Sequence, residues 1–373
     1  MFKHYGAIPS VGTVNKKANT MSILVKIQNR AIQSTMTVLQ SLKKMDEIKV
    51  KMLFVFDGDQ FLSILTIGDI QRAIIKGINL NESVIYILDT QKKFASPNES
   101  MEIIREKMLR LRAECMPVVD DRGNLVEVYF WNECFKNSEV AQHGKINLPV
   151  VIMAGGKGTR LAPLTNVYPK PLIPVGKKTI IEEIMDKFVQ HGCHNFYISV
   201  NYKADSIKNY FDFIGNENYK ISYFQEDKPM GTAGSLQLLK DKIKDTFFVS
   251  NCDILIEEDY SSILDYHKNN HNELTVVAAV KTFSIPYGTI ITGKNGLLKS
   301  IEEKPTLSFK INTGLYILEP SLFDDIPDDF FHITHLMEKL RSQGRRVGVY
   351  PISQNDWKDM GDWNEYLKMI NVL

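Results

Sequence analysis

Residues 150–172 read VVIMAGGKGTRLAPLTNVYPKPL, and the types and spacing of their side chains suit the holding of a polyphosphate. Val150 to Met153 is an apolar run suited to a buried strand, and Gly155, Gly156 and Gly158 then let the backbone turn tightly with its amides exposed. Clustered N–H groups give an anion its donors, while Arg160 and Lys170 bring the positive charge that glycines lack. No Lys-Ser/Thr pair follows the last glycine and the third glycine of G-x-G-x-x-G is missing, so the run is neither a Walker A loop nor a dinucleotide fingerprint. Lys170, isolated between Pro169 and Pro171, is expected to serve an anion and to contribute little to the stability of a core. Glycines after a strand would equally close an ordinary turn, and the loop alone leaves both readings open.

The elements around this loop carry an alternating pattern. Residues 179–190 are amphipathic, with Ile180, Ile184 and Phe188 on one face, and Phe196 to Val200, Phe247 to Ser250 and Thr275 to Val280 read as strands. That cadence predicts a doubly wound α/β sheet, in which ligands collect where loops leave the carboxyl ends of strands. Upstream, residues 1–19 show no period and read as a tail. Met36, Leu39, Leu42 and Met45 then fit a helix face, followed by strands Met52 to Phe56 and Phe61 to Leu65 and a helix from Asp69 to Lys76. The order returns in a helix from Glu99 to Arg112, strands Met116 to Val119 and Asn124 to Phe130, and a short helix. An offset of 64, from Asp57 to Asp121, superposes Phe54-Val55 on Val118-Val119 and Leu62 on Val126, which marks an internal repeat. The expected organisation is a tail over 1–19, the repeat over 20–140, a polar linker over 141–147 and a larger domain over 148–373.

A formal net charge of +1 over 373 residues offers no global field for nucleic acid, so anion binding must be local. Cys115, Cys134, Cys193 and Cys252 form no C-x-x-C pair and no metal-ligand spacing with histidine, and are read as reduced thiols of a cytoplasmic protein. No apolar run reaches the length of a membrane span, and no signal-peptide core opens the sequence, so the expected substrates are cytosolic.

The run GGKGTRLAPLT, followed by Tyr168-Pro169-Lys170-Pro171-Leu172 and Pro174-Val175, resembles the signature of the sugar-phosphate nucleotidyltransferases. The resemblance implies a Rossmann-like, GT-A-like sheet. It places Ala154, Gly155, Gly156, Gly158 and Thr159 against the nucleotide, with Arg160 and Lys170 as the catalytic cations. Asn251-Cys252-Asp253 matches the family's Mg²⁺-binding aspartate, and Trp357-Lys358-Asp359-Met360-Gly361 resembles its late W-x-D-x-G element, which nominates Asp359 as second ligand. Asp356 and Asp362 beside it are read as solvated. Tyr287-Gly288, Glu302-Glu303-Lys304-Pro305 and Asn312-Thr313-Gly314 recur in the family in this order. They imply sugar-phosphate contacts from Tyr287, Gly288, Glu303, Lys304 and Asn312, with Glu303 accepting from hydroxyls and Lys304 pairing with the phosphate.

Residues 226–234 line the base pocket in relatives. Glu226 stands where thymidylyl and uridylyl enzymes carry Gln; a carboxylate only accepts, and guanine offers two adjacent donors, so Glu226 with Gly231 and Thr232 implies GTP. Gly231-Thr232-Ala233-Gly234 also resembles the mannose-1-phosphate guanylyltransferase form of the loop.

The repeat, with Thr66-Ile67-Gly68-Asp69 closing its first unit, resembles a tandem pair of CBS modules, which often bind adenosine nucleotides. Thr66 and Asp69 keep the family's hydroxyl and carboxylate, whereas Phe130 and Glu133 replace them in the second unit, so at most one regulatory site is expected. The alternative is that Thr66 caps its helix and the pair is a docking or dimerising surface. A CBS pair ahead of such a domain further resembles the guanylyltransferases of legionaminic acid synthesis, which take glucosamine 1-phosphate.

The implied reaction is in-line attack of a hexose 1-phosphate oxygen on the α-phosphorus of a nucleoside triphosphate, with Mg²⁺ as cofactor and no general base. The chain is expected to act as a homo-oligomer, with neither nucleic acid nor membrane as partner. Competing expectations are a uridylyl- or thymidylyltransferase, a CBS nucleotide sensor with an inert transferase domain, and a glycosyltransferase. The last would need a D-x-D acid pair, where Asn251-Cys252-Asp253 offers one acid.

Overall fold

A computed structural model describes residues 23, 26–111, 113–134, 145–361, 363, 366 and 367. The expected tail, residues 141–144 of the expected linker, and Asp362 lie outside these. The chain divides into two compact units, Met1–Gln142 and His143–Leu373.

Unit 1 contains β1 (Ala31–Gln33), β2 (Met52–Asp57), β3 (Gln60–Thr66), β4 (Cys115–Val119) and β5 (Leu125–Phe130). The helix Val38–Glu47 starts where it does because Thr37 and Gln40 form a reciprocal capping box, and it buries Leu39, Leu42 and Met45. Strand β2 lies between β1 and β3 and is buried from Met52 to Phe56, as its unbroken apolar sequence requires. The repeat is visible in the hairpins, and it corrects the sequence alignment by one residue. The β2–β3 ladder pairs Val55 with Ser63 and bulges after Val55; the β4–β5 ladder pairs Val118 with Glu127 and bulges after Val118. Val55 thus corresponds to Val118, not Val119. The second turn is one residue longer, and the 64-residue offset holds only beyond it.

The two halves also exchange a cation. Lys92, which leads into the second half, donates to the Ile64 carbonyl (2.9 Å) and to Asp69 of the first. Lys26, which leads into the first, bonds the Val128 carbonyl and lies 3.0 Å from Glu133 of the second. Ile64 and Val128, and Asp69 and Glu133, are repeat equivalents.

Unit 2 is built on β6 (Val150–Met153), the short pair β7 (Pro174–Val175) and β8 (Lys178–Thr179), β9 (Asn195–Val200), β10 (Lys220–Gln225), β11 (Phe247–Asn251) and β12 (Ile254–Ile256). There follow β13 (Leu274–Ser284), β14 (Thr289–Thr292), β15 (Leu298–Glu302), β16 (Thr306–Leu318), β17 (Val347–Ser353) and β18 (Trp357–Asp359). Seven strands form one sheet in the order β10-β9-β6-β11-β16-β13-β17. Strands β10, β9, β6 and β11 run parallel, while β16 enters antiparallel between β11 and β13, so the expected doubly wound sheet is mixed. Both faces are covered. Val150 and Ile152 point into a core with Ile180, Ile184 and Phe188 of the helix Ile180–Gln190, while Val151 points into another with Leu336 and Leu340 of the helix Ile333–Ser342. Each such fully buried side chain contributes about 1.5–3 kcal/mol of hydrophobic stabilisation.

Candidate active site

Strands β6 and β11 are parallel neighbours, with Met153 opposite Asn251, so the loops that leave their carboxyl ends emerge side by side. The first loop is the glycine run; the second delivers Asp253. Gly158 has φ +65, a left-handed conformation, and a Cβ there would stand 2.9 Å from both Lys170 Cβ and Thr165 Cγ2. Only glycine lets the loop close over Lys170. The Thr165 hydroxyl donates to the Gly158 carbonyl (3.1 Å) and fixes that closure.

Lys170 is buried and its ammonium contacts the Asp253 carboxylate. This burial bears on the expectation that Lys170 contributes little to the stability of a core, for its backbone lies in a short 3-10 segment, Lys170–Leu172, that places the side chain inside. Arg160 lies on the outer side of the same acid, 3.7 Å away, with its side chain 63% exposed and open to a ligand.

Asp359 reaches Asp253 through a short ladder. Strands β12 and β18 pair antiparallel, Ile254 opposite Asp359, and the Met360 N–H donates to the Asp253 carbonyl (2.7 Å). Gly361 closes the cluster. A Cβ on it would lie 2.7 Å from Asp359 Oδ1, 2.8 Å from Arg160 Nη2 and 2.9 Å from Asp253 Oδ2, so three charged groups surround one point. Burial first, and then the charge of Asp253, raise the Asp359 carboxyl above the usual range. Two carboxylates that repel each other at a partly buried point suit a divalent cation. Among the described residues no group of three or more His, Cys, Asp or Glu converges, so Asp253 and Asp359 are the acids that could hold one.

The other expected site residues fall around this cluster. Ala154 is buried and its N–H donates to the Ser199 carbonyl (3.1 Å), while Gly156 and Thr159 are exposed on the loop. Glu226 follows β10 at the same edge of the sheet, and its Oε2 accepts from the Met230 N–H (2.9 Å). Gly231 and Thr232 turn toward the helix Ile333–Ser342 instead. A Cβ on Gly231 would lie 2.7 Å from the Phe331 carbonyl, and the Thr232 hydroxyl accepts from the Ile333 N–H (3.1 Å).

Asn312 is satisfied within its own strand: Gly314 N–H donates to its Oδ1 (3.0 Å) and its Nδ2 donates to the Tyr316 hydroxyl (2.9 Å). Tyr287, Gly288, Glu303 and Lys304 are exposed, and Glu303 Oε2 lies 2.8 Å from where a Gly288 Cβ would be. Among the described residues no contact joins these four to the acids. Asp356, expected to be solvated, is half-buried.

Two features escaped the sequence reading. Gly361 was only part of a pattern, and nothing in its own residue type announced a position among three charges. Ser199 is buried with no hydrogen-bond partner for its hydroxyl among the described residues, 3.5 Å from where a Gly155 Cβ would be. A serine in an apolar strand gives no signal of that.

The family profile described as nucleotidyl transferase matches residues 149–373. A UTP–glucose-1-phosphate uridylyltransferase of Synechocystis sp. is 31% identical over 248 residues, 60% of this chain and 62% of that protein. Mannose-1-phosphate guanylyltransferase 1 of Arabidopsis thaliana is 34% identical over 231 residues, 59% of this chain and 63% of that protein. The chain therefore spans less than two-thirds of the length of either relative. The crystal structure of HddC from Yersinia pseudotuberculosis complexed with GMP-PN is 25% identical, with a TM-score of 0.48, and covers 60% of this chain and 99% of that one.

Proposed function

The chain belongs to the nucleotidyl transferase family, and from that premise we propose that it joins a hexose 1-phosphate to a nucleoside triphosphate, GTP before the others, releasing pyrophosphate. The observation that carries this reading is the convergence of Arg160, Lys170, Asp253 and Asp359 beside the glycine loop. An oxygen of the sugar phosphate forms a bond to the α-phosphorus while the bond from that phosphorus to the bridging oxygen breaks, and pyrophosphate leaves with the electron pair. Both reactants are anions, so charge neutralisation and positioning carry the catalysis. Arg160 holds the outer phosphates, and Lys170 offers the ammonium that now contacts Asp253 to the attacking and transferring phosphates. Bound Mg²⁺, held by Asp253 and Asp359, would offset charge growing on the α-phosphate oxygens. The nucleophile is ionised near neutral pH, and no residue here need take a proton.

The bond from Met230 to Glu226 supports guanine. It engages one carboxylate oxygen, so the second atom presented by residue 226 is an acceptor in Glu and would be a donor in Gln. An acceptor meets the N1–H and N2–H₂ of guanine. Kinship with proteins named mannose-1-phosphate guanylyltransferase points the same way, and one named uridylyltransferase sets the alternative. Glucosamine 1-phosphate is the sugar that the N-terminal resemblance suggests.

In unit 1, a cavity of about 450 Å³ is lined by Thr66, Lys51, Lys92 and Lys93 together with Met52, Ile64 and Phe94. Apolar walls and ammonium groups suit an adenosine nucleotide, which supports regulation through a CBS-like pair. Asp69 itself is engaged by the Thr66 N–H and hydroxyl (both 2.8 Å), Arg72 and Lys92, so within this site Asp69 positions and Thr66 caps.

A matrix of four triphosphates against mannose, glucose and glucosamine 1-phosphates, read by pyrophosphate release with and without adenosine nucleotides, tests these readings together. GTP should lead, and Glu226→Gln should narrow its lead over UTP about ten-fold or more. No pyrophosphate from any pair removes the transferase reading. A wild type that prefers UTP removes only the guanine argument.

A further inference from the structure

The short helix Leu164–Val167 stands between the glycine loop and Lys170. A helix leaves its last carbonyls without partners of its own, and here two consecutive side chains reach over from the loop after β9 to meet them. The Lys203 ammonium donates to the carbonyls of Asn166 (2.7 Å) and Val167 (2.6 Å), and the Tyr202 hydroxyl lies 3.5 Å from the carbonyl of Thr165. Lys203 Nζ also stands 5.4 Å from the centroid of the Tyr202 ring, so the cation is held by that ring as well.

Lys203 makes this reach from a left-handed backbone, φ 54 and ψ 39, which residues with a Cβ seldom adopt. Such strain persists where the surrounding bonds fix it, and it collects at functional sites. The same loop also meets the start of the phosphate-binding segment, since a Cβ on Gly155 would stand 3.3 Å from Asn201 Cβ. From the held carbonyls the connection to the chemistry is short. The Thr165 hydroxyl closes on the Gly158 carbonyl (3.1 Å), and Lys170 follows Val167 by three residues. Arg160 has supports of its own. Leu161 N–H donates to the Gly158 carbonyl (3.0 Å), Ala162 N–H to that of Thr159 (3.2 Å), and the Trp363 indole N–H to that of Ala162 (3.0 Å). Loss of the Lys203 bonds is therefore felt at Lys170 before Arg160.

We propose that Lys203 is a positioning residue of the active site, whose ammonium locks the end of the helix Leu164–Val167 so that Lys170 is presented to Asp253 and to the reacting phosphates. What Lys170 then does rests on the transferase reading; that Lys203 holds it in place does not. A misplaced Lys170 weakens the neutralisation of charge in the transition state more than it weakens triphosphate binding, which Arg160 retains, so the clamp is read in kcat. A lysine that merely capped a helix end would be felt in melting, with no selective loss of kcat.

Lys203→Gly in the whole chain separates the two roles, because glycine takes the left-handed backbone without strain and removes only the ammonium and its stem. Relieved strain offsets the lost bonds, so the melting temperature should stay within about 2 °C of the wild type. Turnover, read by pyrophosphate release, should fall about ten-fold or more in kcat, with KM for the triphosphate changed by less than about three-fold. Lys203→Arg, whose guanidinium can donate to both carbonyls, should recover most of kcat. Two measurements on the unliganded protein need no turnover. In Lys203→Gly the amides of Tyr168 and Leu172, which donate to the carbonyls of Leu164 and Pro169, should exchange about ten-fold faster. Lys170 should also be acetylated faster by an amine-reactive reagent as it leaves Asp253. Normal kcat in Lys203→Gly, a loss confined to KM, a loss that tracks melting, or no recovery with arginine overturns the proposal. So do exchange and acetylation that match the wild type. A wild type that releases no pyrophosphate removes the transferase reading instead, and exchange and acetylation then decide the clamp alone.

Discussion

At the residue scale, the acids and the lysine separate two kinds of loss. Asp253→Asn and Asp359→Asn each remove one oxygen charge from a two-acid site, and pyrophosphate release should fall about 100-fold or more with a raised Mg²⁺ requirement. Near-normal turnover of either variant at limiting Mg²⁺ would take that residue out of the site. Lys170→Ala should behave differently. Its ammonium is the buried partner of Asp253, and removing it leaves two carboxylates around one point, so stability should fall by roughly 2–3 kcal/mol. Millimolar Mg²⁺ should restore part of that loss by replacing the missing charge. A melting temperature indifferent both to the substitution and to Mg²⁺ would show that Lys170 does not balance Asp253. The sequence exposed the identity of these residues because their types and order match a known pattern, whereas the burial of Lys170 was illegible. Two flanking prolines read as a loop, and nothing in them shows that Gly158 packs against the lysine stem and holds it inside.

At the scale of elements, the β12–β18 ladder decides whether two acids far apart in sequence meet. Gly361 sits at its end with no left-handed φ, so Gly361→Ala strains no backbone, yet it puts a methyl 2.7 Å from Asp359 Oδ1 and 2.9 Å from Asp253 Oδ2. Melting temperature should move little, while the Mg²⁺ concentration for half-maximal turnover rises about ten-fold. An unchanged Mg²⁺ dependence would mean that the acids do not act at that point. The helices were legible here because amphipathic period and capping agree: Ile180, Ile184 and Phe188 follow the Thr179–Glu182 capping box. The strands over residues 281–312 were not. Their short alternating runs are broken by Pro286, Gly288, Gly293 and Gly296, and isolated stretches of that length give no partner assignment. The extra residue in the second turn of unit 1 was missed for a similar reason, since an alignment anchored on one aspartate cannot tell a turn position from its neighbour.

At the scale of the molecule, unit 2 ties the end of its helix Ile333–Ser342 to the start of β13 through ion pairs. Arg345 Nε donates to both Glu273 oxygens (3.1 and 3.0 Å), and Arg345 Nη1 to Asp325 (2.5 Å). The Arg345 bonds hold Glu273 below the usual carboxylate range. A depressed carboxyl stabilises the fold above its unfolded value, about 4.3, and loses that contribution as pH falls through the folded one. Glu273→Gln should therefore lower the melting temperature of this unit by about 2–4 °C at pH 7, for ~1 kcal/mol of a partly exposed pair. The gap should close below about pH 4; one that persists in acid would place the effect in packing. Length and the repeat led to the expectation of more than one domain, but the exchange of lysines within unit 1 was not legible, because Lys26 and Lys92 fall outside the repeat's spacing. That exchange makes the halves interdependent. Each half keeps its junction acid, Asp69 or Glu133, in balance with a lysine borrowed from the lead-in of the other. Without the other half each acid would lose its lysine and keep local partners, Thr66 and Arg72 for Asp69 and the Phe130 N–H for Glu133, so each half draws part of its charge balance from its twin.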